Sequence, residues 1–163
     1  MHKLSMLLFF LTTTIVSTYS QKKVIIKAGT IVPIQSVSTV KAADVVIDQT
    51  VDFKVTSDIK IDDVVAIPAG TLVKGIVVEA KKSTIAGTKG RLTIKVNSLS
   101  LGGGEQVFFT DSFIRRYGKN RTPVAVITSL FCWPLIFIPG TKAVMPAGYE
   151  TQATVAANTA IVI

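Results

Sequence analysis

Apolar and polar residues alternate with a period of two over most of this chain. The clearest runs are 51–56 and 91–97, where apolar side chains occupy every second position and charged, hydroxyl or amide side chains lie between them. This alternation is typical of strands that place one face on a core and the other in solvent. A period of 3.6 residues is hard to find after residue 20. The pattern therefore predicts a mainly antiparallel, all-β fold.

Three turns of related sequence separate the strands. Lys-Ala-Gly-Thr occupies 27–30, Pro-Ala-Gly-Thr occupies 68–71 and Pro-Ala-Gly-Tyr occupies 146–149. Each turn contains a glycine that adopts positive φ without a steric penalty. Three such structural corners in one small domain predict an antiparallel β-barrel or β-sandwich. The corner glycines are Gly29, Gly70 and Gly148.

Several residues interrupt the strand pattern at defined points. Asp62–Asp63 separates two apolar stretches and predicts the tip of a hairpin. Gly75 predicts a bulge or a barrel bend, and a phase slip at Asn97–Ser98 predicts another bulge. Pro33 has no amide hydrogen, so its strand is expected to be an edge or to end there. Residues 42–48 are expected to lead into a long strand, whose alternation begins at Thr50.

The first twenty residues have the composition of a secretory signal peptide. A basic start at His2 and Lys3 precedes an apolar run over 6–16 and small polar residues up to Ser20. We expect cleavage after Ser20, which leaves one β-domain over 21–163. Retention of the apolar run as a membrane anchor is the alternative.

A late apolar segment, 123–139, does not follow the strand pattern. It contains no charge, carries prolines at both ends and Pro134 inside, and follows a cluster of cations. Three interpretations remain open: a buried strand or hairpin, a transmembrane helix, or an insert that dips into a membrane or docks on a partner. Pro134 and the short length are unfavourable for the helix. Under the third interpretation, cations and interface-seeking aromatic residues make the contact. These residues are Arg115, Arg116, Lys119, Arg121, Phe131, Trp133 and Phe137.

The remaining composition limits the chemistry that we expect. The formal charge of +8 predicts a solvated basic face or contact with lipid head groups, and we expect no nucleic-acid partner. His2 lies in the predicted signal peptide and Cys132 in the apolar segment, so we expect no metal site and no cofactor. The acids between 44 and 63 lack the spacing of a calcium loop. A hydrolase that uses carboxylates such as Asp58 and Asp62 is kept as an alternative.

The order of these motifs over 24–110, and their return at 145–148, resembles a group of small secreted bacterial β-domains. More distantly, it is similar to the C-terminal β-barrel of the outer-membrane scaffold subunit of type IV secretion and conjugation channels. In that subunit an insert between late strands crosses the outer membrane as a helical hairpin, and 123–139 occupies a comparable position. The segment here is too short for two spanning helices.

We therefore expect a non-enzymatic binding or structural module of the cell envelope, exported to the periplasm or outer membrane of a Gram-negative bacterium. The expected partners are outer-membrane lipid or envelope proteins, and homo-oligomerisation is left open. The leading alternative is a membrane-inserted oligomeric component of an envelope channel or secretion assembly. The carboxylate hydrolase is the second alternative.

Overall fold

The fold was analysed on a computed structural model, which describes residues 23–84, 88–110, 112–119 and 140–162. These residues form strands connected by turns, and they contain no helix of the length and hydropathy needed to cross a membrane. The predicted signal peptide and the segment 123–139 lie outside the described residues. The strands are β1 Lys23–Ile26, β2 Ile31–Ser36, β3 Val40–Lys41, β4 Thr50–Val55, β5 Ile59–Ile61, β6 Val64–Ile67, β7 Leu72–Lys81, β8 Arg91–Ser100, β9 Gln106–Thr110, β10 Phe113–Tyr117, β11 Val144–Met145, β12 Glu150–Val155 and β13 Thr159–Val162.

Six antiparallel strands close into a barrel in the order β8-β7-β4-β2-β12-β9, with β9 returning to β8. The strand β8 is long enough to pair with β9 near its end and with β10 near its start, so β10 adds a further strand beside the ring. The prediction of an all-β fold, and of a barrel as one of two architectures, is confirmed. Three short pairs, β1–β13, β5–β6 and β3–β11, lie at the barrel ends.

The core is built by the alternation seen in the sequence. Along β4 every second residue is buried, and the side chain of Phe53 is completely inaccessible to solvent. Gly75 pairs with Val51 on β4, and a methyl group added at Gly75 would lie 2.9 Å from the ring of Phe53, which pairs with Val73. The register shifts between Lys74 and Gly75, where Asn97 on β8 has no register partner, so the bulges predicted at Gly75 and at Asn97–Ser98 are a single irregularity of the β7–β8 pair.

The three related turns have the same backbone geometry. Gly29, Gly70 and Gly148 have φ values of 85°, 84° and 77°. In each turn the amide of the fourth residue donates to the carbonyl of the first, at 3.2 to 3.3 Å. These are the features of a type II turn, whose third position requires positive φ. We call the turns at 27–30, 68–71 and 146–149 corners 1, 2 and 3.

Each corner is also fastened to a neighbouring strand. The amide of the corner glycine donates to the carbonyl of the last residue of a neighbouring strand, at 2.8 to 2.9 Å. The amide of that strand residue donates in return to the carbonyl of the residue after the glycine, at 3.0 Å. A polar side chain three residues beyond the end of that strand accepts the amide of the corner alanine. The acceptors are Asn158 for corner 1, Asp58 for corner 2 and Thr39 for corner 3.

A fourth turn repeats this arrangement without a glycine. Gln49 N donates to Val46 O at 3.3 Å, and Asp48 occupies the third position with φ 67°. Asp48 N donates to Val77 O, and Val77 N donates back to Gln49 O, as in the other corners. We call residues 46–49 corner 4. Residues 42–48 do lead into the strand predicted from Thr50, which is β4, but the sequence analysis did not predict the turn at 46–49 before it.

Two other local predictions can be compared with the structure. Asp62 and Asp63, with φ 49° and 60°, form the two-residue connection between β5 and β6, so the hairpin tip is confirmed. Pro33 does not lie in an edge strand, since β2 pairs with β12 and with β4. The β4 ladder begins only at Ile34, and the carbonyl of Pro33 accepts from the amide of Thr56, beyond the end of β4. Pro33, which has no amide hydrogen, therefore lies where the β2–β4 ladder ends.

The two ends of the barrel differ in composition. At the terminal end lie β1–β13, β5–β6 and corners 1 and 2. At the basic end lie the start of β8, the end of β10, the pair β3–β11 and corners 3 and 4. The cations that give the second end its name are mostly exposed: Lys41, Lys81, Lys82, Lys89, Arg91, Lys119 and Lys142.

Candidate functional site: a cationic and aromatic surface

The strand β10 places alternate residues of its cationic sequence on opposite sides. Phe113, Arg115 and Tyr117 are exposed, whereas Ile114 is buried and Arg116 is half-buried. This follows from the two-residue period of a strand. The neighbours Arg115 and Arg116 therefore do not belong to the same surface.

The exposed side of β10 continues onto β8. Because the strands are antiparallel and in register, Lys95 lies opposite Phe113, Thr93 opposite Arg115, and Arg91 opposite Tyr117. Side chains opposite each other on one face are in contact range. We call this surface the cation–aromatic strip. Its members are Lys89, Arg91, Lys95, Phe113, Arg115 and Tyr117.

Cations and rings in the strip contact one another. The Phe113 ring lies between two cations, with Lys95 Nζ at 5.8 Å and Arg115 Cζ at 5.5 Å from its centroid. Lys89 Nζ lies 5.1 Å from the centroid of Tyr117. These distances are in the range of cation–π attraction. The rings thereby hold Lys89, Lys95 and Arg115 along the surface.

Among the described residues, the carboxylate of Glu79 lies beside the strip. Glu79 on β7 is 3.8 Å from Arg91 Nη1, and it accepts a hydrogen bond from Thr93 Oγ1 at 3.2 Å. Thr93 is only 7% exposed because longer side chains cover it. The strip contains four cations, and Glu79 contributes one negative charge beside them. The described residues of this surface therefore carry a net positive charge, which favours an anionic partner.

Arg116 has a structural environment. Its guanidinium lies over the Tyr149 ring, with Cζ 4.8 Å from the centroid, and its Nε donates to Val144 O at 3.5 Å. Tyr149 is the last residue of corner 3, so Arg116 connects the end of β10 to that corner. Lys119 is exposed beyond β10, and its amide donates to the hydroxyl of Thr141.

The other predicted contact residues cannot be compared with this geometry. Arg121, Phe131, Trp133 and Phe137 lie outside the described residues. Conversely, Lys89, Arg91 and Lys95 were missed by the contact prediction. They lie more than 15 residues from β10 in the sequence; strand register brings Arg91 and Lys95 beside β10, and Lys89 lies over the Tyr117 ring. The alternation over 91–97 was the available signal, since it placed these cations on one face.

The residues considered for a hydrolase have other roles or positions. Asp58 Oδ1 accepts the Ala69 amide at 2.7 Å, and Asp62 forms the β5–β6 turn. Two open grooves, of about 450 and 340 Å³, lie beside Pro33 and beside Leu101, and neither is lined by these aspartates. Within the described ranges, no three His, Cys, Asp or Glu side chains are grouped closely enough to hold a metal ion.

Comparison with known proteins finds similarity to solved structures. The chain is similar to ComB10 of the Com type IV secretion system of Helicobacter pylori, with 15% sequence identity and a TM-score of 0.44. The similarity covers 85% of this chain and 90% of ComB10. This is the class of secretion system to which the sequence resemblance pointed. No protein-family model and no curated protein matches the chain.

Proposed function

We propose that this chain is an exported, non-enzymatic module of a Gram-negative cell envelope that makes its contact through the basic end of the barrel. The observation that carries the proposal is the cation–aromatic strip. Its cations are aligned by strand register, and its two rings, Phe113 and Tyr117, are exposed. Exposed cations beside aromatic rings suit the boundary between water and a charged envelope surface.

The position of the strip in the chain supports the same proposal. The apolar segment 123–139 follows β10 directly in the sequence, with Lys119 and Arg121 between them. We assign the segment, through Phe131, Trp133 and Phe137, to the same contact. Its partner is outer-membrane lipid or an envelope protein, and a second copy of the chain can share the surface.

Cell fractionation tests this proposal. The chain is expressed with its own residues 1–20 in a Gram-negative host. Cleavage after Ser20 is measured as the sign of export. We expect the processed protein in the envelope fraction. An Arg115→Gln/Lys119→Gln variant should move into the soluble periplasmic fraction, because it loses two exposed cations at the contact.

The matched control is Lys54→Gln/Lys60→Gln, which removes the same charge from exposed positions outside the basic end. This variant should fractionate as the unaltered chain does. The proposal fails if both variants fractionate alike, or if the chain is not exported. Replacement of Phe131, Trp133 and Phe137 by Ser then measures how much the apolar segment contributes to holding the protein in the envelope fraction.

A further inference from the structure

Corner 4 differs from the other corners at its tip. Its first two residues, Val46 and Ile47, are 69% and 58% exposed. The equivalent residues of corners 1 to 3 are Lys-Ala, Pro-Ala and Pro-Ala. The turn uses only the backbone at these positions, together with the Gln49 side chain that accepts from Val46 N. Neither apolar side chain is therefore required to form the corner.

Corner 4 also lies at the level of the cation–aromatic strip. Asp48 N is bonded to Val77 O, Val77 is the register partner of Ile94, and Ile94 is the partner of Ile114, next to Arg115. The path crosses three strand spacings, about 14 Å along the sheet, which is half of the six-stranded ring. An apolar tip and a cationic surface thus lie at the same barrel end.

We propose that Val46 and Ile47 form an apolar wedge that enters the head-group region of an anionic bilayer while the strip contacts lipid phosphates. The inference rests on the proposed function and specifies its partner as lipid. Charge complementarity supports lipid as the occupant, because the strip has a positive balance and phosphate head groups are anionic. Exposed apolar side chains at the same barrel end as a cationic surface form a combination that peripheral proteins use at a bilayer boundary, although the acids Asp44 and Asp48 flank the tip itself.

Vesicle sedimentation tests the wedge. The chain 21–163, which includes every described strand, is mixed with vesicles of phosphatidylethanolamine and phosphatidylglycerol at 3:1. We expect Val46→Ser/Ile47→Ser to bind about tenfold more weakly, because two apolar side chains no longer leave water. The control is Ile31→Ser/Leu72→Ser, at 56% and 57% exposed positions of the terminal end, and it should bind as the unaltered chain does.

A fluorescence measurement locates the wedge directly. An environment-sensitive nitrobenzoxadiazole label is attached at Ile47→Cys or at Leu72→Cys, each in a Cys132→Ser background. Anionic vesicles should shift the emission of the label at 47 to shorter wavelength and leave the label at 72 unchanged. Equal responses at both positions, or no response at 47, would overturn the wedge.

The outcomes separate this inference from the proposed function. If the unaltered chain binds vesicles and the Val46→Ser/Ile47→Ser variant binds equally well, the wedge is wrong and the envelope contact stands. If the chain does not bind vesicles but fractionates with the envelope, lipid is the wrong partner and a protein binds the surface. Concentration-dependent self-association that is abolished by Val46→Ser/Ile47→Ser would identify a second copy as the occupant and overturn the lipid assignment.

Discussion

Corners 1 to 3 and corner 4 make the same backbone hydrogen bonds from different residues. The first three place glycine at the positive-φ position, and corner 4 places Asp48 there with φ 67°. Aspartate is one of the few residues with a side chain that enters this region readily. The comparison shows that the turn dictates a conformation at its third residue and little at its first two. Residues at those first two positions are therefore available for function.

The largest effect in this comparison is expected from the corner glycines. Gly70→Ala and Gly148→Ala should each lower the free energy of unfolding by about 1–2 kcal/mol, because alanine disfavours positive φ. No atom lies within 4 Å of the added methyl group, so the effect would be purely conformational. Urea denaturation measures it. Gly102→Ala has the same open surroundings without positive φ, and an equal loss there would refute the explanation.

The next effect concerns the fastening of corner 2. Asp58→Ala removes the acceptor of the Ala69 amide and should cost about 1 kcal/mol of unfolding free energy. Asp58→Asn retains a side-chain oxygen and should recover most of the loss. Thermal denaturation of both variants checks this. If Asn destabilises as much as Ala, the carboxylate charge and not the hydrogen bond is what corner 2 needs.

A smaller effect is expected from giving corner 4 the residue of the other corners. Asp48→Gly relieves the steric cost of positive φ but adds backbone freedom to the unfolded chain. These terms oppose each other, so the unfolding free energy should change by no more than about 0.5 kcal/mol. A loss above 1 kcal/mol would mean that the Asp48 side chain has a role that glycine cannot supply.

The smallest stability effect is expected at the tip of corner 4. Val46→Ser/Ile47→Ser should leave the unfolding free energy within about 0.5 kcal/mol of that of the unaltered chain, because both side chains are exposed. Urea denaturation of the same preparations used for vesicle binding checks this. A clear destabilisation would place these residues in the fold and remove the reason to assign them to a contact.

Much of the architecture could be predicted because it depends on local patterns. The alternation of apolar and polar residues predicted the barrel strands, and the corner glycines predicted the turns at corners 1 to 3. Gly75 and the phase slip at Asn97 both predicted the same bulge in the β7–β8 pair. Corner 4 was missed because Asp48 is a weaker turn signal than glycine, and the apolar residues before it suggested a strand. Pro33 was placed at an edge because the sequence does not show how far each neighbouring ladder extends.

The candidate site was predicted less completely for a different reason. The sequence identified Arg115 as a contact residue and recognised the aromatic residues beside it. It could not show that Lys89, Arg91 and Lys95 join them, because that depends on the register of β8 against β10. Nor could the sequence distinguish the roles of Arg115 and Arg116. The Arg116 guanidinium lies over the Tyr149 ring, whereas Arg115 belongs to the exposed strip.

The affinities of Arg115→Gln and Arg116→Gln for anionic vesicles test the central claim most directly. Both substitutions remove one positive charge from adjacent residues, but only Arg115 lies in the cation–aromatic strip. We predict that Arg115→Gln weakens binding about fivefold and that Arg116→Gln retains affinity within about twofold while unfolding at lower urea. Equal losses of affinity in the two variants would show that net charge alone attracts the chain, and would contradict a built contact surface.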